Sequence, residues 1–231
     1  MQIGDPQTFF TIIAIILLSL AIHELAHAKL ADVAGDPTPR IYGRVTLNPL
    51  AHLDPAGTIM IVLSTMSGFG IGWGKPVPMN PSRMRNPRWD HFVAVIGGPI
   101  SNLIQAAIYA LCLRMLLTNG TITLNHVGSV LMGEPAPLAA IFFVNAVTIN
   151  LALCFFNMVP LGPLDGHWIL GTFMNEPMRL KWYMWNRTIG GFLLIMVVLV
   201  GQMDSRLSLL SRVLGPIIVT TFEFFTGVRL R

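Results

Sequence analysis

The run FFTIIAIILLSL over residues 9–20 leads without a break into AIHELAHAKL over residues 21–30. With its flanks, the first part supplies the roughly 20 apolar residues that cross a bilayer. The second part puts His23, Glu24 and His27 at the end of that same segment. Ionisable groups at the centre of a membrane helix cost about 2.5–3.5 kcal/mol each on insertion scales, so they persist only where something offsets the cost. At about 3.6 residues per turn, His23 and His27 project from one helix face, one turn apart. That spacing lets both imidazoles grip one zinc ion. The adjacent Glu24 is then placed to take a proton from water rather than to bind the metal.

Composition agrees with a lipid environment. Hydrophobic residues make up 53% of the 231 residues and charged residues 11%, against about 25% charged in a soluble domain. The chain therefore reads as an all-α polytopic membrane protein. Its formal charge of +4 is modest, and the basic residues flank apolar segments, a membrane-topology signal rather than a nucleic-acid footprint. Cys112 and Cys154 both fall inside apolar segments. They read as small buried hydrophobes, and two are too few for a disulfide framework. No Lys or Arg precedes the first apolar run, so that run is expected to be a retained helix and not a signal peptide.

Three apolar segments are long enough to span: Gln7 to Ala34, His91 to Leu117 and Pro137 to Val159. Two shorter ones, IGGFLLIMVVLVGQM and LLSRVLGPIIVTTFEFF, predict C-terminal helices over about 189–226. The segment TIMIVLSTMSGFGIGW holds Gly68, Gly70 and Gly72, each weakening a helix by roughly 1 kcal/mol relative to Ala. Lys29, Arg40 and Arg44 precede this segment and Lys75, Arg83, Arg85 and Arg88 follow it, whereas residues 118–133 hold no Lys or Arg. The positive-inside tendency then places residues 29–90 on the cytoplasmic side, with the glycine-rich segment re-entrant. Non-helical backbone at that depth must be covered by protein or line a wet cavity. One membrane-embedded domain over residues 1–231 is expected, with its core over 7–171.

Catalytic zinc takes three protein ligands and keeps one position open. The stretch FFNMVPLGPLDGHWIL offers Asp165, in an Asp-Gly pair that also reads as a turn. His167 is the local alternative and His52 the distant one. Asn102, in NPRWDHFVAVIGGPISNLIQA, suits an interhelical hydrogen bond worth roughly 0.6–2 kcal/mol in membranes.

HELAH, GRVTLNPLAHLDPAGT, GKPVPMNPSRMRNPR, GGPISN and FFNMVPLGPLDG occur in that order. Together they resemble the site-2 protease family of intramembrane zinc metalloproteases, in its short prokaryotic form without appended soluble domains. The resemblance implies a helical bundle whose three central helices surround one Zn2+ per chain. It implies that His23, His27 and Asp165 are the ligands and that Glu24 is the catalytic glutamate. Asn157 and Pro160 match the family's N-x-x-P, and Asn157, with Asn102, is assigned to holding the substrate. His167 stands where Gly is common in the family. The implied activity is hydrolysis of peptide bonds within or near transmembrane segments of membrane-protein substrates, in regulated intramembrane proteolysis. Every backbone group of a spanning helix is bonded internally, so such a substrate must unwind locally. Lys29 follows His27 closely, which places the site toward the cytoplasmic side of a cell membrane. The expected partners are the bilayer and that substrate helix, with no nucleic acid, and the oligomeric state stays open. The alternative is a non-proteolytic zinc-binding membrane protein, which would have no use for Glu24.

Overall fold

The structure is a computed structural model that describes residues 6–67, 72–203 and 208–230. Helix α1 (Pro6–Val33) opens with proline at the first helical position, where its missing N–H is no loss. Its 28 residues reach about 42 Å at 1.5 Å per residue. Gly35, with φ at 109°, ends it. A short helix α2 (Thr38–Ile41) and a 3-10 turn (Pro49–His52) follow. Asp36 is fully buried and accepts hydrogen bonds from the Asn80 and Thr38 backbone and from the Thr38 hydroxyl. Burial alone would raise its pKa. Those hydrogen bonds and nearby Arg83 outweigh burial and hold the carboxyl below its ordinary value.

Helix α3 (Pro55–Ser67) has 13 residues and is about 20 Å long, short of the ~30 Å hydrocarbon core. The chain then turns back. Gly72 lies against Ile61 and the Trp73 carbonyl against Gly57. Leu53 and Gly74 form an isolated antiparallel bridge, and the Lys75 N–H donates to the His52 carbonyl at 2.8 Å. Both ends of the segment thus meet at one place, the geometry of re-entry and not of a crossing. Gly68 and Gly70 lie outside the described residues.

The remaining helices are α4 (Trp89–Thr118), α5 (Leu124–Met132), α6 (Leu138–Asn157), α7 (Asp165–Thr172), α8 (Glu176–Trp185), α9 (Gly191–Met203) and α10 (Leu209–Thr226). A π-helical turn, Asn186–Gly190, joins α8 to α9. Among the described residues, five segments are long and apolar enough to cross a membrane: α1, α4, α6, the α8–α9 run and α10. No strand occurs among the described residues. The protein is an all-α, multi-pass membrane protein. The apolar run of the fourth segment begins near residue 189, yet its helix starts at Glu176. The reason is that α8 is mixed polar and apolar and leaves no continuous apolar signal.

Helices α1, α4 and α6 pack on one another to form the centre of the bundle. Toward α5 and α10 the filling is apolar, with Ala106, Ala110 and Leu113 against Val144, Val147 and Leu151, closed by Val127 and Phe222. Alanines at these positions let membrane helices approach closely. Toward the other end the same helices carry polar groups.

Candidate metal centre

His23, Glu24 and His27 lie on the buried face of α1. The GGP stretch of α4 makes room for them. A Cβ at Gly98 would fall 2.3 Å from His27 Nε2 and 2.7 Å from His23 Cε1, so any side chain there would occupy the space of the imidazoles. Asp165 enters from the first turn of α7. Gly166 lets that turn seat on its loop, since a Cβ would sit 2.3 Å from the Met158 carbonyl oxygen. The loop is held from the C-terminal side as well, where Asn186 Oδ1 accepts from the Gly162 N–H at 2.7 Å.

The hydrogen bonds set the tautomers. His27 Nδ1 is 2.9 Å from the Ala94 carbonyl oxygen, which can only accept, so Nδ1 carries the proton and Nε2 a lone pair. His23 Nδ1 faces Asn102 Oδ1 at 2.6 Å, which has the same consequence. The two Nε2 atoms lie 3.0 Å apart. Asp165 Oδ2 is 3.2 Å from His23 Nε2, and Oδ1 is 3.4 Å from His27 Nε2. Asp165 Oδ2 is buried without a hydrogen-bond partner. With both imidazoles neutral, three lone-pair donors face one another, an arrangement that a shared cation between them relieves. Tetrahedral zinc with bonds of about 2.0–2.1 Å spaces its ligand atoms roughly 3.3 Å apart. The three side chains fit that ion, and among the described residues no other group of His, Cys, Asp or Glu gathers in this way.

Glu24 is buried beside this cluster, and its Oε2 has no hydrogen-bond partner. Arg44 Nη2 stands 4.0 Å from Glu24 Oε2, and Arg44 also donates to the Lys75 carbonyl. Burial pulls the guanidinium below its ordinary pKa, and the facing Glu24 carboxylate partly reverses that. The foot of the re-entrant segment is thus fastened next to Glu24. In the sequence Arg44 reads as a topology charge inside the GRVTLNP stretch, and nothing there points to Glu24.

The structure separates the other candidates. His52 is buried with Nε2 donating to the Thr46 carbonyl at 2.8 Å, and His167 Nδ1 donates to the Leu164 carbonyl at 2.5 Å. Asp165, not these histidines, meets His23 and His27. Asn157 lies at the end of α6, where Nδ2 donates to the Leu153 carbonyl at 2.9 Å. It is not joined to the cluster. Asn102 is fully buried and its amide is engaged with His23 and Asn150. A cavity of about 440 Å³ lies between α1, α3, α6 and α10, lined by Leu20, Ile61, Gly72, Leu153, Phe156 and Leu214 among others.

A His-Glu-x-x-His helix closed by a remote carboxylate, within a bundle of apolar helices, defines the class of membrane-embedded metallopeptidases. The chain matches Peptidase family M50 over residues 11–198, and it belongs to that family, the site-2 protease family. It is 35% identical over 190 residues to a Bacillus subtilis (strain 168) protein named "Putative zinc metalloprotease YwhC", covering 82% of this chain and 80% of the relative. No solved structure matches it.

Proposed function

We propose that this chain is an intramembrane zinc endopeptidase that cleaves membrane-protein substrates within or near their transmembrane segments. His23, His27 and Asp165 hold one zinc ion per chain, and Glu24 is the proton carrier. The observation that carries the reading is Glu24 itself: a buried carboxylate, one oxygen of which makes no hydrogen bond, beside three converging lone pairs. A protein that only stored metal would not keep it there.

Zinc, when bound, supplies a Lewis acid that acidifies a water molecule and polarises the scissile carbonyl. Glu24 Oε2 takes a proton from the attacking water. The water oxygen bonds to the carbonyl carbon, Glu24 returns the proton to the departing amide nitrogen, and the C–N bond breaks to give a carboxylic acid and an amine. Arg44 holds the Glu24 carboxylate and the foot of the re-entrant segment in one place. The apolar cavity beside Leu20, one turn from His23, supports entry of an apolar peptide from the lipid side. A substrate helix must unwind there, since its carbonyls are otherwise bonded internally.

The test compares membrane proteomes of cells carrying the wild type and Glu24→Gln. A fragment made only by the wild type is expected; identical proteomes would overturn the assignment. The Lys and Arg distribution supports an active site toward the cytoplasmic side of the cell membrane. Single cysteines at Ser82 and Asn119, in a chain lacking Cys112 and Cys154, should label from opposite sides; labelling of Ser82 from outside would reverse the placement.

A further inference from the structure

A buried polar chain runs from His23 across three helices, and its far end has no part in the chemistry above. His23 Nδ1 donates to Asn102 Oδ1 at 2.6 Å. Asn102 Nδ2 donates to Asn150 Oδ1 at 3.0 Å and points to the Ser19 carbonyl at 3.5 Å. Asn150 Nδ2 donates to the Ala146 carbonyl and to Ser19 Oγ, both at 2.9 Å. Ser19 is 1% exposed, and Asn102 and Asn150 are 0% exposed, so bulk solvent does not reach these groups.

An asparagine amide has two ends of similar shape and opposite hydrogen-bonding character. Turned over, Asn102 would present Nδ2 to His23. Nδ1 would then have to accept, and the ring proton would move to Nε2, where it blocks a metal. Backbone carbonyls settle the choice, because they only accept. The Ala146 carbonyl requires Asn150 Nδ2 on its side, which turns Asn150 Oδ1 toward Asn102. That acceptor, with the Ser19 carbonyl, draws Asn102 Nδ2 and leaves Asn102 Oδ1 for His23.

We infer that Asn150 and Ser19 are positioning residues for the metal centre: they fix the orientation of the Asn102 amide and so hold His23 as the Nδ1–H tautomer, with Nε2 free for the ion. The inference rests on the reading of His23 as a zinc ligand. Removing the partner of a metal-ligating histidine typically lowers metal affinity about 10–100-fold. Asn150 acts one link further out and belongs at the lower end of that range.

The experiment measures zinc affinity by chelator competition on the full chain in detergent. Asn150→Leu, similar in volume, should lose about tenfold while its metal-free form stays monodisperse. Ser19→Ala should lose less, since the Ala146 and Ser19 carbonyls still orient both amides. Adding Asn102→Asp to Asn150→Leu should restore affinity, because a carboxylate offers Nδ1–H an acceptor whichever way it turns. A bundle merely loosened by the change on α6 would not be repaired by a second change on α4. Cobalt(II) spectra should show the tetrahedral signature returning in the double variant. Unchanged affinity in Asn150→Leu, or a loss that Asn102→Asp does not repair, overturns the inference. If Asn150→Leu does not fold, histidine ¹⁵N spectra of the metal-free wild type decide instead: Nδ1–H at His23 is expected, and Nε2–H overturns it. A wild type that binds no zinc would overturn the reading of the centre itself.

Discussion

The two halves of the central bundle use the same helices under opposite rules. Near α5 and α10, Ala106, Ala110, Leu113, Val144, Val147 and Leu151 are buried with no directional contact to satisfy. Nearer α7, the same α4 and α6, with α1, bury His23, Asn102, Asn150 and Ser19, each tied to the next by a hydrogen bond. Apolar packing tolerates neighbours of similar volume, and a misfit shows as lost stability. A buried polar group left unpaired costs about 1–3 kcal/mol, and here a misfit also changes what the site can hold. Stability and metal affinity are therefore expected to separate along the length of the bundle.

The hardest break is in the polar half. His23→Ala should take zinc content from about one per chain, as expected of a single mononuclear site, to near zero in metal analysis of purified protein. Full retention would remove the site. Next, Glu24→Gln should keep its zinc yet lower cleavage about 10²–10⁴-fold, the usual effect of losing a proton-transfer group; zinc lost together with activity would make Glu24 a ligand. In the apolar half, Leu151→Ala should cost roughly 2–5 kcal/mol of unfolding stability with zinc affinity unchanged. A parallel loss of zinc would show that the halves are not separable. The mildest change is His167→Gly, expected to keep zinc and activity and to cost about 1 kcal/mol for glycine within a helix. Asp165→Asn, beside it, should weaken zinc binding, because a neutral amide is a poorer ligand than a carboxylate. If His167→Gly lost the metal while Asp165→Asn kept it, the third ligand would be reassigned.

Much of this was legible in the sequence because it is local. Long apolar runs gave α1, α4 and α6 within a few residues of their ends. The His23–His27 spacing is a property of one helix turn, and the two basic stretches flanking a glycine-rich run pointed to the re-entrant segment. What escaped was not local. The bond between Ser19 and Asn150 joins residues 131 apart in sequence, and each alone reads as one more polar residue in a membrane helix. Arg44 was counted only as a topology charge, because its meeting with Glu24 depends on how the chain after α1 folds back. Asn186 hid inside a mixed segment whose helix an apolar scan does not see. Asn102 was visible as a polar residue near the site, but the structure shows it gripping His23, a contact that sequence order does not contain.

The bridge between Leu53 and Gly74 has a consequence for how such a chain can diversify. Its two feet are pinned by backbone pairing and by Arg44, so the stretch between them is a closed insert. Residues can be added to or removed from the stretch between the feet without moving Arg44 away from Glu24. Length can therefore vary between the feet while the metal centre stays in place.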